Sequence, residues 1–335
     1  MSEQPILRVE DLVKAYPVRG TGEQLRAVAG VSFSLGRGET LGIVGESGCG
    51  KSTTGRLLVR LEEPTSGRVE LDGQDISRAR GRTLRDVHRR IQLVFQDPFA
   101  ALNPRLTVAQ TLDEVLRVYG LAGDKAARRR RVQELLGMVG LRGGFAERYP
   151  HQMSGGQCQR VGIARALAVE PQVVVLDEPV SALDVSVQSE VMNLLTRLRE
   201  ELGLSYVFIS HDLGMVRHIS DRIVVMYLGR VVELGPWRPV SDDPLHPYTR
   251  ALQEAVPVAD PGIEAARQVE PLRGEVPDPA NPPDGCVFHP RCPLAEDVCR
   301  TVDPALAELL PGHQAACHVA ARRVEQARTA MVPPE

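Results

Sequence analysis

The chain has 335 residues, 43% of them hydrophobic and 25% charged, with a net charge of −3. Such a composition belongs to soluble globular domains, and the length favours about two of them. The charge gives no basic footprint for general nucleic-acid binding. Apolar runs such as 173–176 and 206–209 fall far short of the roughly 20 residues that cross a bilayer.

The opening residues Met1-Ser2-Glu3-Gln4-Pro5 lack the basic-then-apolar layout of an export signal, so a cytosolic, reducing location is expected, with the cysteines unpaired. Residues 6–13 and 27–35 read as strands, separated by a loop around Gly20-Thr21-Gly22. Thr40-Leu41-Gly42-Ile43-Val44 has the look of a buried strand. It runs into Gly45-Glu46-Ser47-Gly48-Cys49-Gly50-Lys51-Ser52-Thr53, and residues 54–60 continue as a helix. Strand, glycine-rich turn with G-x-x-x-x-G-K-[ST], then helix is the context of a phosphate-binding loop. Glycines let backbone N–H groups wrap close to phosphate oxygens, and the helix N-terminus adds its dipole. Lys51 then neutralises the outer phosphates, and Ser52 ligates Mg²⁺. A nucleoside triphosphate is the implied ligand; Cys49 answers only a need for small size.

Residues 68–71 and 91–95 are further expected strands. From Asp97 the character changes, with Leu102-Asn103-Pro104 a loop and helical spacing over 108–119 and 126–139; residues 97–152 read as a helical insertion in an α/β core. The arginine clusters 78–90 and 128–131 lack interleaved aromatics and read as solvated faces. Ser154-Gly155-Gly156 before a helix at 157–167 is a second small-residue loop that can meet phosphate. Val173-Val174-Val175-Leu176 is a strand buried on both faces and ends in Asp177-Glu178. An acid there can reach Mg²⁺ beside the phosphate loop, which assigns Asp177, and Glu178 next to it suits the activation of water. An amphipathic helix follows, with Val187, Val191, Leu194, Leu195, Leu198 and Leu202 on one face and Gly203 at its end. Residues 206–210 and 222–227 supply the last expected strands. After Gly235 prolines accumulate, which reads as a domain boundary and an irregular tail with short helices.

Met153-Ser154-Gly155-Gly156-Gln157 resembles the signature motif of ABC-type ATPases. In order along the chain, Gln96 resembles the Q-loop residue, Ser181-Ala182-Leu183-Asp184 the D-loop, and His211 the switch histidine. Tyr16 stands where that family stacks an aromatic on adenine. The resemblance covers about residues 6–235 and implies an ATPase core at 1–96 and 153–235, made of a P-loop α/β part with an antiparallel β subdomain. It also implies a helical subdomain at 97–152 and an extension at 236–335. It implies ATP and Mg²⁺, the metal held through Ser52, Gln96 and Asp177. Glu178, His211, Gln96 and Lys51 become the catalytic set. Because one chain carries two γ-phosphate binders, the family arrangement is a head-to-tail dimer in which Ser154, Gly155, Gly156, Gln157 and Asp184 act in trans.

Asp243-Pro244-Leu245-His246-Pro247-Tyr248 is similar to the segment that follows the core in peptide-permease ATPases, the oligopeptide, dipeptide and nickel importers. The likeness is nearest to the second ATPase of their pair. A nonidentical second ATPase, two membrane permeases and an extracytoplasmic solute-binding protein are the implied partners, without nucleic acid, at the cytoplasmic face of the membrane. Nickel, glutathione or another small solute remain alternative cargoes. A soluble, non-transport ABC ATPase is the contrasting class, but the stretch between Lys51 and Ser154 is too short for a long coiled-coil insertion. The tail holds Cys286, Cys292, Cys299 and Cys317, spaced C-x5-C-x6-C-x17-C, which favours a metal site over disulfides. Three readings stay open: a [4Fe–4S] cluster as on some relatives' tails, zinc recruiting His289 or His318, or reduced thiols packed in a small domain. Cys158 has no functional reading.

Overall fold

The computed structural model describes residues 4–18, 20, 24–256, 272 and 274–330. A four-stranded antiparallel sheet contains β1 (Leu7–Pro17), β2 (Gln24–Leu35), β4 (Ser66–Leu71) and β5 (Gln74–Asp75), in the order β2-β1-β4-β5. The main sheet contains β3 (Thr40–Val44), β6 (Ile91–Val94), β7 (Val173–Asp177), β8 (Ser205–Ser210), β9 (Arg222–Tyr227), β10 (Arg230–Pro236), β11 (Ala307–Leu310) and β12 (His313–Ala315). Its order is β11-β12-β10-β9-β3-β8-β7-β6, parallel from β9 to β6 and antiparallel at the β10–β12 edge.

Every residue of β3, β7 and β8 is buried, which is why their sequences are apolar runs and not alternations. The period of two is still expressed, because alternate side chains enter different cores. Val174, Leu176, Tyr206, Phe208, Ile223 and Val225 face one core, shared with the helices of the insertion and with the aromatic residues of the tail. Val173, Val175, Val207, Ile209, Val224 and Met226 face the other, shared with the antiparallel sheet and with Leu57 and Leu58 of α1 (Lys51–Leu58).

Helix α2 (Gly81–Arg90) falls in the arginine cluster read only as surface. Two of its four arginines, Arg85 and Arg90, have partners within the chain. Arg85 donates to the Val118 carbonyl, and Arg90 pairs with Asp72 at 3.0 Å. The insertion contains α3 (Val108–Val118) and α4 (Lys125–Met138). Thr107 caps α3 by accepting from Gln110 N, and Asp124 caps α4 by accepting from Ala127 N, each relieving an orphan donor. Next come α5 (Gly155–Leu167), α6 (Val185–Leu202) and α7 (Leu213–Ile219). Gly156 has no room for a side chain: an added Cβ would lie 2.3 Å from Val187 Cγ1, so α5 and α6 touch backbone to side chain. Cys158 on α5 is buried among apolar side chains with its thiol pushed up to about 11 by that burial, a packing residue and not a reactive one.

The tail has the short helices expected and adds a hairpin that was not. It continues through α8 (Trp237–Asp242), α9 (Pro247–Glu254), α10 (Asp297–Thr301) and α11 (His318–Ala330), and its hairpin β11–β12 extends the main sheet at β10. The sheet therefore runs across the boundary expected near residue 235. The strands were hidden because each is three or four residues long, and their pairing partner lies some 80 residues away.

One carboxylate knits this tail together. Glu233 on β10 is fully buried, and it accepts from Leu245 N at 2.8 Å and His246 N at 3.0 Å, with His313 Nε2 at 2.7 Å. A buried charge is tolerated only when its hydrogen bonds are made, as here. His246 caps α9, its Nδ1 accepting from Tyr248 N at 3.1 Å, which requires that nitrogen to be unprotonated. Burial pushes its pKa down to about 4, only partly opposed by Glu233. Between the ordinary histidine value of roughly 6.5 and about 4, the unfolded chain takes a proton that the folded chain refuses, so stability falls as pH falls through that window. Melting temperatures across it should drop more for the native chain than for His246→Asn, whose side-chain oxygen caps without titrating; parallel curves would show that His246 carries no such linkage.

Candidate functional site

The main sheet delivers its parallel strands' carboxyl ends to one edge, and the expected site residues follow directly after those ends. The loop after β3 carries Gly45–Lys51, the stretch after β6 carries Gln96, β7 ends in Asp177 with Glu178 next, and β8 is followed by His211. In an open parallel sheet this is where ligands bind. A cleft of about 570 Å³ lies there, lined by Ala27, Glu46, Ser47, Gly48, Gly50, Lys51, Ser52, Thr53, Gln96, Glu178, His211 and Leu252.

The phosphate loop reverses within a few residues. Gly50 takes φ +102°, and a Cβ there would lie 2.1 Å from the Ala27 carbonyl oxygen, so only glycine serves. Gly229 brackets the turn, its N–H donating to Cys49 O at 2.9 Å while its carbonyl accepts from Ala29 N at 2.8 Å. The Lys51 ammonium is buried and donates to Gly45 O at 2.8 Å and Glu46 O at 2.9 Å. It thus stands inside the ring of loop amides, where phosphate oxygens are the natural competitors for its protons.

Behind the loop, Ser52 Oγ donates to Asp177 Oδ1 at 2.8 Å. Asp177 is buried, and that burial raises its carboxyl pKa against the lowering effect of Ser52. A hydroxyl and a desolvated carboxylate side by side form an oxygen donor set suited to Mg²⁺, which would restore the ionised form. Glu178 adopts φ +46°, a left-handed conformation that costs a non-glycine residue about 1–2 kcal/mol. Its N–H is anchored on Ile209 O at 3.0 Å. Its Oε2 accepts from Gln96 Nε2 at 3.0 Å and lies 3.3 Å from His211 Nδ1. Gln96 therefore stands on Glu178 and not on the Ser52–Asp177 pair.

Other expected residues lie off the cleft. Tyr16 is not in its lining; its hydroxyl donates to Glu62, and burial, with Glu62 second, pushes its pKa up to about 12. Ser154 caps α5, accepting from Gln157 N at 3.3 Å while Gln157 Oε1 accepts from Ser154 N at 3.1 Å. Asp184 is exposed at the start of α6. None of Ser154, Gly155, Gly156, Gln157 and Asp184 lines the cleft of its own chain. Conversely, Ala27 and Leu252 line it without any signal in their local sequence.

Comparison with known proteins accords with this geometry. The family model described as ABC transporter matches residues 28–181, and that described as oligopeptide/dipeptide transporter, C-terminal region, matches 232–299. The oligopeptide transport ATP-binding protein AppF of Bacillus subtilis is 51% identical over 95% of this chain and 98% of its own. The chain belongs to the ABC transporter family. A putative peptide import ATP-binding protein of Brucella ovis is 50% identical over 95% of this chain and 98% of its own. The ATP-binding cassette MJ0796, solved as a dimer in a post-hydrolysis state with ADP and Pi, superposes with TM-score 0.63 at 34% identity, covering 69% of this chain and 99% of that one. CbiO1 of Clostridium perfringens, part of the ABC transporter complex cbiONQ, superposes with TM-score 0.63 at 32% identity, covering 72% and 92%. The protein is an ABC ATPase, and the carboxyl-end cleft is its candidate ATP site. No helix among the described residues is long and apolar enough to cross a membrane.

The tail of this ABC ATPase gathers its four cysteines. Cys286 N donates to Cys299 O at 2.9 Å, and Cys286 feels the charges of Cys299, Cys317 and Cys292. Burial raises the Cys286 and Cys292 thiols to about 11. Among the described residues no three His, Cys, Asp or Glu side chains are set to hold one metal ion. His289 Nδ1 and His318 Nε2 lie 3.0 and 2.9 Å from backbone carbonyl oxygens.

Because the ionised form of Asp177 is disfavoured by burial, its contribution to stability is fully present below the ordinary aspartate range and is lost as pH rises through the raised value. Asp177→Asn should therefore melt higher than the parent at neutral pH without nucleotide, and the gap should narrow in acid. The same variant should lose Mg²⁺-dependent ATP hydrolysis by about 100-fold or more. Equal melting at neutral pH would show that Asp177 carries no desolvation cost.

Proposed function

We propose that this ABC ATPase energises the import of di- and oligopeptides, working at the cytoplasmic face of the membrane with a second, nonidentical ATPase, two permeases and a solute-binding protein. The observation that carries the cargo class is the tail. Residues 232–299 match the oligopeptide/dipeptide transporter C-terminal region, and within them Tyr248 and Arg291 reach the phosphate loop. The observation that supports a dimer is the split between the cleft and Ser154–Gln157. Lys51 and Ser52 occupy one, and a capped helix N-terminus that is free to meet phosphate lies outside it. Head-to-tail pairing would bring Ser154, Gly155, Gly156, Gln157 and Asp184 of one subunit to the nucleotide of the other.

In this reading Lys51 and the loop amides hold the β- and γ-phosphates, and Ser52 and Asp177 hold Mg²⁺, which supplies charge neutralisation. The Glu178 carboxylate, fixed by Gln96 and its strained backbone, accepts a proton from water as the water oxygen bonds to the γ-phosphorus. The bond from phosphorus to the bridging oxygen breaks, and ADP and phosphate leave. His211 steadies Glu178 and the γ-phosphate. Closure of the dimer on ATP and its reopening after hydrolysis pass motion to the permeases through the Gln96 segment and the helical insertion.

The four tail cysteines are proposed to hold a [4Fe–4S] cluster, for which four separate thiolates are the usual ligands. What supports this is their placement: Cys286 N meets Cys299 O at 2.9 Å, and Cys292 and Cys317 lie close enough to Cys286 to oppose its ionisation. Protein purified without oxygen should be brown and carry about four irons per chain; colourless, iron-free protein would remove the cluster.

Glu178→Gln should bind ATP like the parent but hydrolyse it about 100-fold or more slowly, and size exclusion with ATP should trap the closed dimer with the partner ATPase. Turnover at the parental rate would take the proton-accepting role from Glu178.

A further inference from the structure

Glu46, the second residue of the phosphate loop, has each of its polar groups engaged, and two of its four partners come from the tail. Its N–H donates to Tyr248 Oη at 2.8 Å. Its carbonyl accepts from Lys51 Nζ at 2.9 Å and from Cys49 N at 3.3 Å. Its carboxylate takes both terminal nitrogens of Arg291, at 2.7 and 3.1 Å. Arg291 is 245 residues away in the chain, and its side chain is only 6% exposed.

The placement of Arg291 is built, not incidental. It sits in the tight turn between Cys286 and Cys292, where His289 N donates to Cys286 O at 2.9 Å and Arg291 N to Phe288 O at 3.0 Å. Phe288 packs against Tyr227 and Tyr248 with ring centroids 5.2 and 5.4 Å apart, and the guanidinium carbon lies 5.9 Å from the Tyr227 centroid. An aromatic cluster thus carries the arginine to the loop. A planar, permanently charged fork that meets a carboxylate bidentately fixes orientation as well as charge.

The electrostatic consequence concerns the ligand. Glu46 lines the cleft that would receive the phosphates, and a bare carboxylate there would repel a polyanion. We infer that Arg291 is a positioning residue for the ATP site: it holds Glu46, and with it the loop's carbonyl and amide at that position, and it cancels the Glu46 charge beside the phosphates. It acts only through Glu46 and touches no reactant. The peptide-transporter-type tail is therefore a structural part of the nucleotide site. This rests on the assignment of the cleft to ATP.

The test is equilibrium titration of the full chain with a fluorescent ATP analogue and Mg²⁺. Arg291→Gln should weaken binding about tenfold, since most of the penalty of truncating one partner is the other charge left unpaired. Adding Glu46→Gln to Arg291→Gln should bring affinity back to within about threefold of the parent, because the unpaired charge is gone. A tail that had merely come loose would not be mended by that second change. Unchanged affinity in Arg291→Gln, or failure of Glu46→Gln to restore it, would overturn the inference. Melting curves identify any variant that has not folded. In that event Arg291→Lys stands in, with about threefold weakening expected from loss of the fork and none overturning. Lys51→Ala separates the two levels. Normal binding by that variant would defeat the ATP assignment itself, whereas lost binding there with an unaffected Arg291→Gln would defeat only the role given to Arg291.

Discussion

Parallel pairing of β6, β7, β8, β3 and β9 is the constraint on which the rest depends. A parallel sheet needs crossovers that cover both faces, so its strands must be apolar on both sides. Val173–Asp177 and Ser205–Ser210 are buried throughout for that reason. The same pairing aligns the strands' carboxyl ends, and every lining residue of the cleft except Ala27 and Leu252 follows shortly after such an end. The site is a by-product of topology. Lys51 enters from β3, Glu178 from β7, His211 from β8 and Gln96 from β6, and they meet because their strands are neighbours. The register Asp177↔Ile209 then lets Glu178 N–H reach Ile209 O and holds the strained residue in place.

That logic explains what could be read from the residues beforehand. A phosphate loop between strand and helix is a local object, since its glycines, lysine and serine are contiguous and their roles follow from backbone geometry. Fully buried strands and the amphipathic α6 are local too. The departures are the long-range ones. Helix α2 was hidden among arginines whose ion-pair partners, such as Asp72 with Arg90, come from another turn of chain. The β11–β12 hairpin is too short to show a period, and it exists because β10 offers an edge. Leu252, Tyr248 and Arg291 are ordinary residues in a proline-rich tail, and nothing in their neighbourhoods marks them as parts of a nucleotide site. The contact from Gln96 to Glu178 is long-range as well, since only the relative placement of β6 and β7 could decide it.

The cleft of one chain does not include the N-terminus of α5. It holds a lysine, a metal donor pair and a carboxylate poised by strain, but Ser154 and its neighbours are spent on capping α5 and point elsewhere. The capping box leaves the Gly155 and Gly156 amides at a helix N-terminus, and exposed dipole ends attract phosphate from whatever source can reach them. Strain at Glu178 makes sense in the same terms. A left-handed backbone at Glu178 costs free energy in the folded chain, so it persists only because the β7–β8 ladder fixes its amide. The gain is a carboxylate aimed into the cleft at the end of a strand and not along it.

The phosphate loop is held from three directions, and their origins differ. Gly229, in the turn from β9 to β10, braces Cys49; Ala27 of β2 crowds Gly50; Tyr248 and Arg291 of the tail hold Glu46. The first two come from a strand of the antiparallel sheet and from a turn of the main sheet. The third belongs to the stretch 232–299 that marks the oligopeptide/dipeptide branch. A loop whose amides must all converge on one polyanion tolerates little displacement at any of these points. The tail also leans on the main sheet through Glu233, whose carboxylate joins β10, the start of α9 and β12. A change in the cysteine-bearing turn would therefore have two routes to the nucleotide, one through Arg291 and one through the sheet edge. Only the first ends on a charged group inside the cleft. Charge, unlike packing, acts on a bound phosphate without any atom having to move far.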